Sequence, residues 1–316
     1  MRAIVERKKN AKSVRKNQPP IVCGTDFSKT AIEAVDVAAA MARRLGTKLV
    51  LVHVDEFYGM AAVDSRLFGA AVAHGRPELN RIADRLRGLG TDVGEKLLCG
   101  SAFDKLVTVA IEATGSLIVV GAVGHGLAKR LFVGSVAERT AEASPIPTLV
   151  VRPGGRLASW IRGEHALKVL VGYDFSAASD AALRWLNQMQ QLGRYEITVL
   201  YSSWPPDEAR RLGYEGPMPP SANVEQIRKD LQRDLVNRVV KLLPKQKVNT
   251  IVEPGWGTPE GYLFQIAGEQ HVDLIVVGTH QRHGLGRVLL GSVSRAVLHH
   301  AKMAVAVVPP AESAAR

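Results

Sequence analysis

The sequence predicts an α/β protein made of two tandem copies of one domain, each a five-stranded parallel sheet flanked by helices. Two observations carry this prediction. Short, continuously apolar runs alternate with segments of helical period, which is the signature of a parallel sheet covered on both faces. The pattern also occurs twice: "IVCGTDFSKTAIEA" at Ile21 to Ala34 matches "VLVGYDFSAASDAA" at Val169 to Ala182, and "SLIVVGAVGHG" from Ser116 matches "DLIVVGTHQRHG" from Asp273. Asp26 and Asp174 are 148 residues apart, whereas Gly121 and Gly278, and Gly134 and Gly291, are 157 apart. An insertion in the second copy explains the growth of the shift, and the Pro-rich stretch "SSWPPDEARRLGYEGPMPP" provides one.

The elements of the first copy read in order. "PIVCGTD" is strand one. The helix "TAIEAVDVAAAMARRLG" follows, with Thr30 and Glu33 at capping-box spacing and Gly46 where the helix should stop. "KLVLVHVDE" is strand two, and a helix runs from about Pro77 to Leu89. "DVGEKLLCG" is strand three, "FDKLVTVAIEATG" a helix, "SLIVVGA" strand four, "SVAERTAEAS" a helix and "PTLVVRP" strand five. The second copy repeats the order. Its second helix, about Asn223 to Leu243, places Val224, Ile227, Leu231, Leu235, Val239 and Leu242 on one face. The expected organisation is a basic, disordered tail over residues 1–19, a first domain over 20–153, a linker over 154–166, a second domain over 167–310 and a tail over 311–316.

Composition narrows the function classes. No apolar run approaches the roughly 18 residues needed to span a membrane, and no secretory leader is evident. Cys23 and Cys99 sit in apolar strand contexts and read as buried free thiols, which fits a reducing cytoplasm. Of the net charge of +11, the first twenty residues supply +6, from seven Lys or Arg and one Glu. The segment reads as a solvated lead-in. It has no interleaved aromatics to stack on bases, so no nucleic-acid partner is expected.

Ligands in such sheets bind beyond the carboxyl ends of the strands. In the first copy that rim carries Gly24-Thr25-Asp26-Phe27-Ser28, then His53-Val54-Asp55, then Gly121-Ala122-Val123-Gly124-His125-Gly126, and Gly134-Ser135-Val136 at a helix start. Glycines allow close approach to the backbone, and a helix N-terminus faces an anion. Lys129 and Arg130 add positive charge, and His125 could lean on a phosphate. Asp26 could accept hydrogen bonds from a ribose or base, or hold a cation. A P-loop is excluded, because Leu127-Ala128 follow where Lys and Ser/Thr are needed. A dinucleotide fingerprint is excluded too, because the glycines follow strand four rather than strand one.

Gly121-x2-Gly124-x9-Gly134-Ser135 resembles the G-x2-G-x9-G-(S/T) ATP-binding motif of the universal stress protein family. "GTDFS" with Asp26 and the ending "PIPTLVVRP" are similar to that family as well, and the likeness covers nearly the whole chain after residue 20, twice, as in its tandem members. The resemblance implies Rossmann-like domains of the adenine nucleotide alpha hydrolase-like type, binding ATP with Mg2+. It places Asp26 at the adenine and ribose end and Val54 beside the adenine. Gly121, Gly124, Gly134 and Ser135 then contact ribose and phosphate, with Val136 closing the motif. It also implies an intrachain pseudo-dimer through the fifth strands, and leaves open a homodimer of two chains.

In the second copy the weaker candidates are Asp174, Gly278, Gly291, Ser292 and Val293. Gln281 stands where the second glycine belongs, and Ser202 replaces Val54. Neither a nucleophilic triad nor the Ser-Gly-Gly-x-Asp-Ser loop of ATP pyrophosphatases is present. His280, His283, His299 and His300 read as exposed loop histidines rather than as metal ligands. The expected function is therefore an ATP-binding regulator or sensor in a stress response, with at most slow hydrolysis, whose ordered Val123 to Val133 loop is read by a protein partner. The alternative is a scaffold without a working nucleotide site.

Overall fold

The computed structural model describes residues 18–56, 65–124, 133–203, 221–255, 257–281 and 288–310, without the side chains of 65–74, 203, 221–224, 254, 280, 281, 288 and 289. The chain divides into two compact units, Met1–Arg162 and Gly163–Arg316.

The first unit runs β1 (Ile21–Gly24), α1 (Lys29–Leu45), β2 (Leu49–Asp55), α2 (Ser65–Gly88), β3 (Val93–Cys99), α3 (Ala102–Glu112), β4 (Leu117–Gly121), α4 (Ser135–Ala143), β5 (Thr148–Val151) and α5 (Leu157–Ile161). Its strands lie in the order β3-β2-β1-β4-β5, all parallel. Ile21, Val22, Cys23, Ile118 and Val119 are fully buried, as continuous apolar runs between two helical layers require. The chain reverses its winding between β1 and β4, and there the ends of two neighbouring strands diverge to leave a crevice.

The second unit repeats the plan with β6 (Leu167–Tyr173), α6 (Ala177–Gln188), a 3-10 turn (Met189–Leu192), β7 (Tyr195–Ser203), α7 (Ser221–Leu242), β8 (Val248–Pro254), α8 (Pro259–Glu269), β9 (Leu274–Gly278), the two-residue strands β10 (His280–Gln281) and β11 (Val288–Leu289), α9 (Ser292–His300) and β12 (Ala304–Val308). Its parallel order is β8-β7-β6-β9-β12. β10 and β11 pair with each other, antiparallel, in a separate ribbon that the sequence reading lacked. On α7, Ile227, Leu231, Leu235 and Val239 are buried as the periodicity predicts, but Leu243, just past the helix end, is buried rather than Leu242.

Several local expectations change. Helix α1 is capped by Ser28, whose Oγ accepts from the Ala31 amide at 3.3 Å, rather than by Thr30. Glu33 instead accepts from the Gly154 amide at 2.9 Å, so the apparent capping box is a tertiary contact. Gly46 does end the helix, in the left-handed region at φ 69°. Helix α2 begins at Ser65 and keeps Pro77 inside it, whereas the proline had suggested a start. Within residues 154–166, expected to be a linker, α5 buries Leu157, Trp160 and Ile161. Cys23 is buried, and burial pushes its thiol well above its ordinary value. Cys99 is only half-buried, because it ends β3 at the edge of the sheet.

In the second unit an ionic cluster gathers around the buried Asp180. The Tyr173 hydroxyl donates to Asp180 Oδ1 at 2.6 Å, Arg238 Nε donates to the same oxygen at 3.0 Å, and Arg238 Nη2 donates to Oδ2. Burial opposes ionisation of Asp180, but the bonds from Arg238 and Tyr173 outweigh it and hold the carboxyl below the ordinary carboxylate value. The unfolded group titrates near pH 3.9. The contribution is therefore present above about pH 4 and lost as pH falls through the lower folded value. Asp180→Ala is expected to cost about 2–3 kcal/mol at pH 7 in urea denaturation, because it orphans a buried hydroxyl and a charged partner. The gap between variant and native protein should narrow at acid pH.

Candidate functional site

Both units turn out of their first strand in the same way. Asp26 Oδ1 accepts from the Ser28 amide at 3.0 Å, and Asp174 Oδ1 accepts from the Ser176 amide at 3.0 Å. Between each pair sits a phenylalanine in the left-handed region, Phe27 at φ 66° and Phe175 at φ 60°, which is rare for a bulky residue. Aromatic packing holds each one there. Phe27 lies 4.2 Å from the ring of His53, and Phe175 lies 4.9 Å from Tyr201, the residue 148 positions after His53. The His53 ring is itself fixed, with Nδ1 2.8 Å from the Thr25 carbonyl and Nε2 3.4 Å from Asp55 Oδ1. The turn thus aims the aspartate at the rim while the serine starts the helix.

In the first unit this aspartate faces a cavity of about 350 Å³. Asp26, Val54, Gly121, Gly124, Gly134, Ser135 and Val136 all line it, together with Val52, Glu56 and Leu106. His125, Lys129 and Arg130 lie outside the described residues. The glycines are required for different reasons. A Cβ on Gly124 would stand 2.4 Å from Asp26 Oδ2, so the missing side chain makes room for that carboxylate. A Cβ on Gly121 would stand 3.0 Å from the Ala31 nitrogen and the Thr30 carbonyl carbon, so this glycine lets α1 cross close over the end of β4. Gly134 donates its amide to the Ala122 carbonyl at 2.7 Å, which ties the start of α4 to the end of β4, and it precedes α4 with no side-chain cap bond. Gly134, Ser135, Val136 and Ala137 at the start of α4 line the cavity, and the dipole at a helix N-terminus favours negative charge.

Glu56 was not singled out from the sequence. It continues the alternation of Val52 and Val54, which was the available signal, and its Oε1 accepts from the Ala102 amide at the start of α3, 3.0 Å away. Leu106 lies against Gly24, where a Cβ would meet its Cδ1 at 2.8 Å. The first unit therefore lines one cavity with apolar side chains, the Asp26 carboxylate and a helix N-terminus.

The second unit has a cavity of about 270 Å³ in the equivalent place. Asp174, Gly278, Gly291, Ser292 and Val293 line it, with Ser202 among them. Gly278 is more tightly constrained than Gly121, since its Cβ would stand 2.6 Å from the Ala178 carbonyl carbon. No cluster of three or more His, Cys, Asp or Glu suited to a metal ion occurs among the described residues. No helix there is long and apolar enough to cross a membrane.

Comparison with known proteins agrees with this architecture. The universal stress protein family model matches residues 19–152 and again 166–309. The universal stress protein Rv2005c of Mycobacterium tuberculosis is 27% identical over 218 residues, covering 68% of each chain. The universal stress protein A homolog 2 of Coxiella burnetii is 30% identical over 142 residues, covering 45% of this chain and 93% of its own. The crystal structure of a universal stress protein from Archaeoglobus fulgidus is 18% identical, covers 91% of this chain and 97% of its own, and superposes with a TM-score of 0.65, which speaks for the fold. Two matches to one family model, laid over two copies of one parallel-sheet plan, make this chain a tandem member of the universal stress protein family.

Proposed function

We propose that the first unit binds ATP together with Mg2+, and that the protein is a nucleotide-dependent regulator in a stress response with at most slow hydrolysis. One observation carries the reading: residues from β1, β2, β4 and α4, spread between Asp26 and Val136, converge on one cavity. The chemistry of the wall suits the ligand. Asp26 accepts hydrogen bonds from ribose hydroxyls, and Val52, Val54 and Leu106 offer an apolar face to the base. The N-terminus of α4 with Ser135 receives phosphate oxygens. The segment carrying His125, Lys129 and Arg130 begins and ends at the cavity wall, at Gly124 and Gly134. The described residues form no cation cage of their own, so magnesium would arrive on the phosphates. Bound Mg2+ would neutralise charge on the triphosphate.

The test is calorimetric titration of the full chain with Mg-ATP after removal of co-purified nucleotide. One triphosphate site per chain is the expected result. No heat and no retained nucleotide would favour the rival reading, a scaffold that acts through its surface.

A further inference from the structure

The second unit has another cavity, of about 540 Å³, at the opposite ends of its strands from the crevice. Its wall comes from the starts of β6, β7 and β8 and from the C-terminal end of α8. Side chains two apart on a strand share a face, and so do register partners on neighbouring parallel strands. Lys168 is in register with Glu196, and Thr198 with Asn249. Lys247 stands one residue before the first register pair of β7 and β8, beside Glu196. These five side chains therefore share one face of the sheet. Gln270 meets that face from the end of α8, where its Oε1 accepts from Thr198 Oγ1 at 2.8 Å.

The same place in the first unit is built differently. By repeat shift and strand register, Lys168, Glu196, Asn249 and Gln270 stand where the first unit has Pro20, Lys48, Gly94 and Ala113. There the stem of Lys48 lies across Gly94, where a Cβ would meet its Cε at 2.8 Å. In the second unit a shorter carboxylate replaces that stem, and two carboxamides join it.

The polar groups of this wall are not used up internally. Lys168 Nζ donates to the Gln270 carbonyl at 3.1 Å rather than to Glu196, at a helix end where the dipole favours a cation. Among the described residues, the side chains of Glu196, Lys247 and Asn249 enter no hydrogen bond or ion pair. Thr198, only 6% exposed, holds the Gln270 carboxamide by its oxygen, which leaves the Nε2 hydrogens for a ligand. Neighbouring strands lie about 4.8 Å apart, so an anionic and a cationic side chain stand side by side over a cavity. That spacing matches a small ligand that carries both charges on one carbon.

We infer that this cavity binds the zwitterionic head of a free amino acid. Lys247 and the amides of Asn249 and Gln270 receive the ligand carboxylate, and Glu196 receives its ammonium. The inference is independent of the nucleotide reading, since this cavity shares no lining residue with the other two.

Equilibrium dialysis of the full chain with radiolabelled L-alanine tests it. The competitors are N-acetylalanine, which lacks the positive charge, and alaninamide, which lacks the negative one. One alanine per chain is expected, with each competitor at least about tenfold weaker than alanine. Glu196→Gln should weaken alanine about tenfold and bring alanine and N-acetylalanine level, and Lys247→Met should do the same for alanine and alaninamide. Both positions are exposed, so the urea midpoints should match the native chain, and Lys247→Arg, which keeps the charge, should retain binding. Absence of retained alanine at about 10 mM would overturn the inference. So would equal binding of the three ligands, or native affinity for alanine in Glu196→Gln.

Discussion

Gly124→Gln is expected to lower the affinity of the native chain for Mg-ATP at least a hundredfold, about 2.7 kcal/mol, with little change in melting temperature. The reason lies in one distance. A Cβ at position 124 would stand 2.4 Å from Asp26 Oδ2, closer than the two atoms can approach. The carboxylate has to swing aside, and it is the same group whose Oδ1 accepts from the Ser28 amide at the start of α1. The neighbour is the far end of a side chain rather than backbone, so the fold can absorb the change while the acceptor is displaced from the cavity. The rest of the glutamine then enters the space that the first unit leaves for a ligand. Calorimetry with Mg-ATP and a thermal melt followed by circular dichroism check the two halves of the expectation. An unchanged isotherm would remove this cavity from any nucleotide role. A collapsed melting curve would mean that Gly124 serves the fold.

The opposite pattern is expected at Gly278. Gly278→Ala should destabilise the protein by about 3 kcal/mol in urea denaturation, at the upper end of what overpacking costs. The added Cβ would meet the Ala178 carbonyl carbon at 2.6 Å and its Cβ and carbonyl oxygen at 2.8 Å. Those atoms belong to the first turn of α6 and cannot move without shifting the helix. Gly121→Ala makes the milder version of the same contact, at 3.0 Å from Thr30 and Ala31, and should cost less. A neutral Gly278→Ala would sink the argument that these strand-end glycines are held by a helix crossing.

These two substitutions mark where the glycine motif was legible and where it was not. Spacing alone treats Gly121, Gly124, Gly134 and their counterparts as one cradle. In the folded protein, Gly124 yields to a carboxylate, Gly121 and Gly278 yield to helix backbone, and Gly134 binds the Ala122 carbonyl through its amide. Thr30 and Glu33 show the same ambiguity at short range. They have the spacing of a capping box, yet Ser28 caps the helix and Glu33 reaches the Gly154 amide, 121 residues away. Pro77 misled in the other direction, since a proline that usually starts a helix here lies within one.

What the sequence determined by itself is the local and the repeated: the alternation of apolar strands and periodic helices, the duplication, the Asp-Phe-Ser turn and the family motif. Such features are legible because burial on both faces of a sheet and along one face of a helix imposes a period on neighbouring residues. Only the tertiary structure decided that β1 lies between β2 and β4, which opens the crevice beside Asp26. It alone brought Leu106 into the cavity wall, and it alone separated the glycine that frees a carboxylate from those that admit a helix. Those outcomes depend on distances of a few ångströms between residues far apart in the chain, and no spacing along the sequence encodes them.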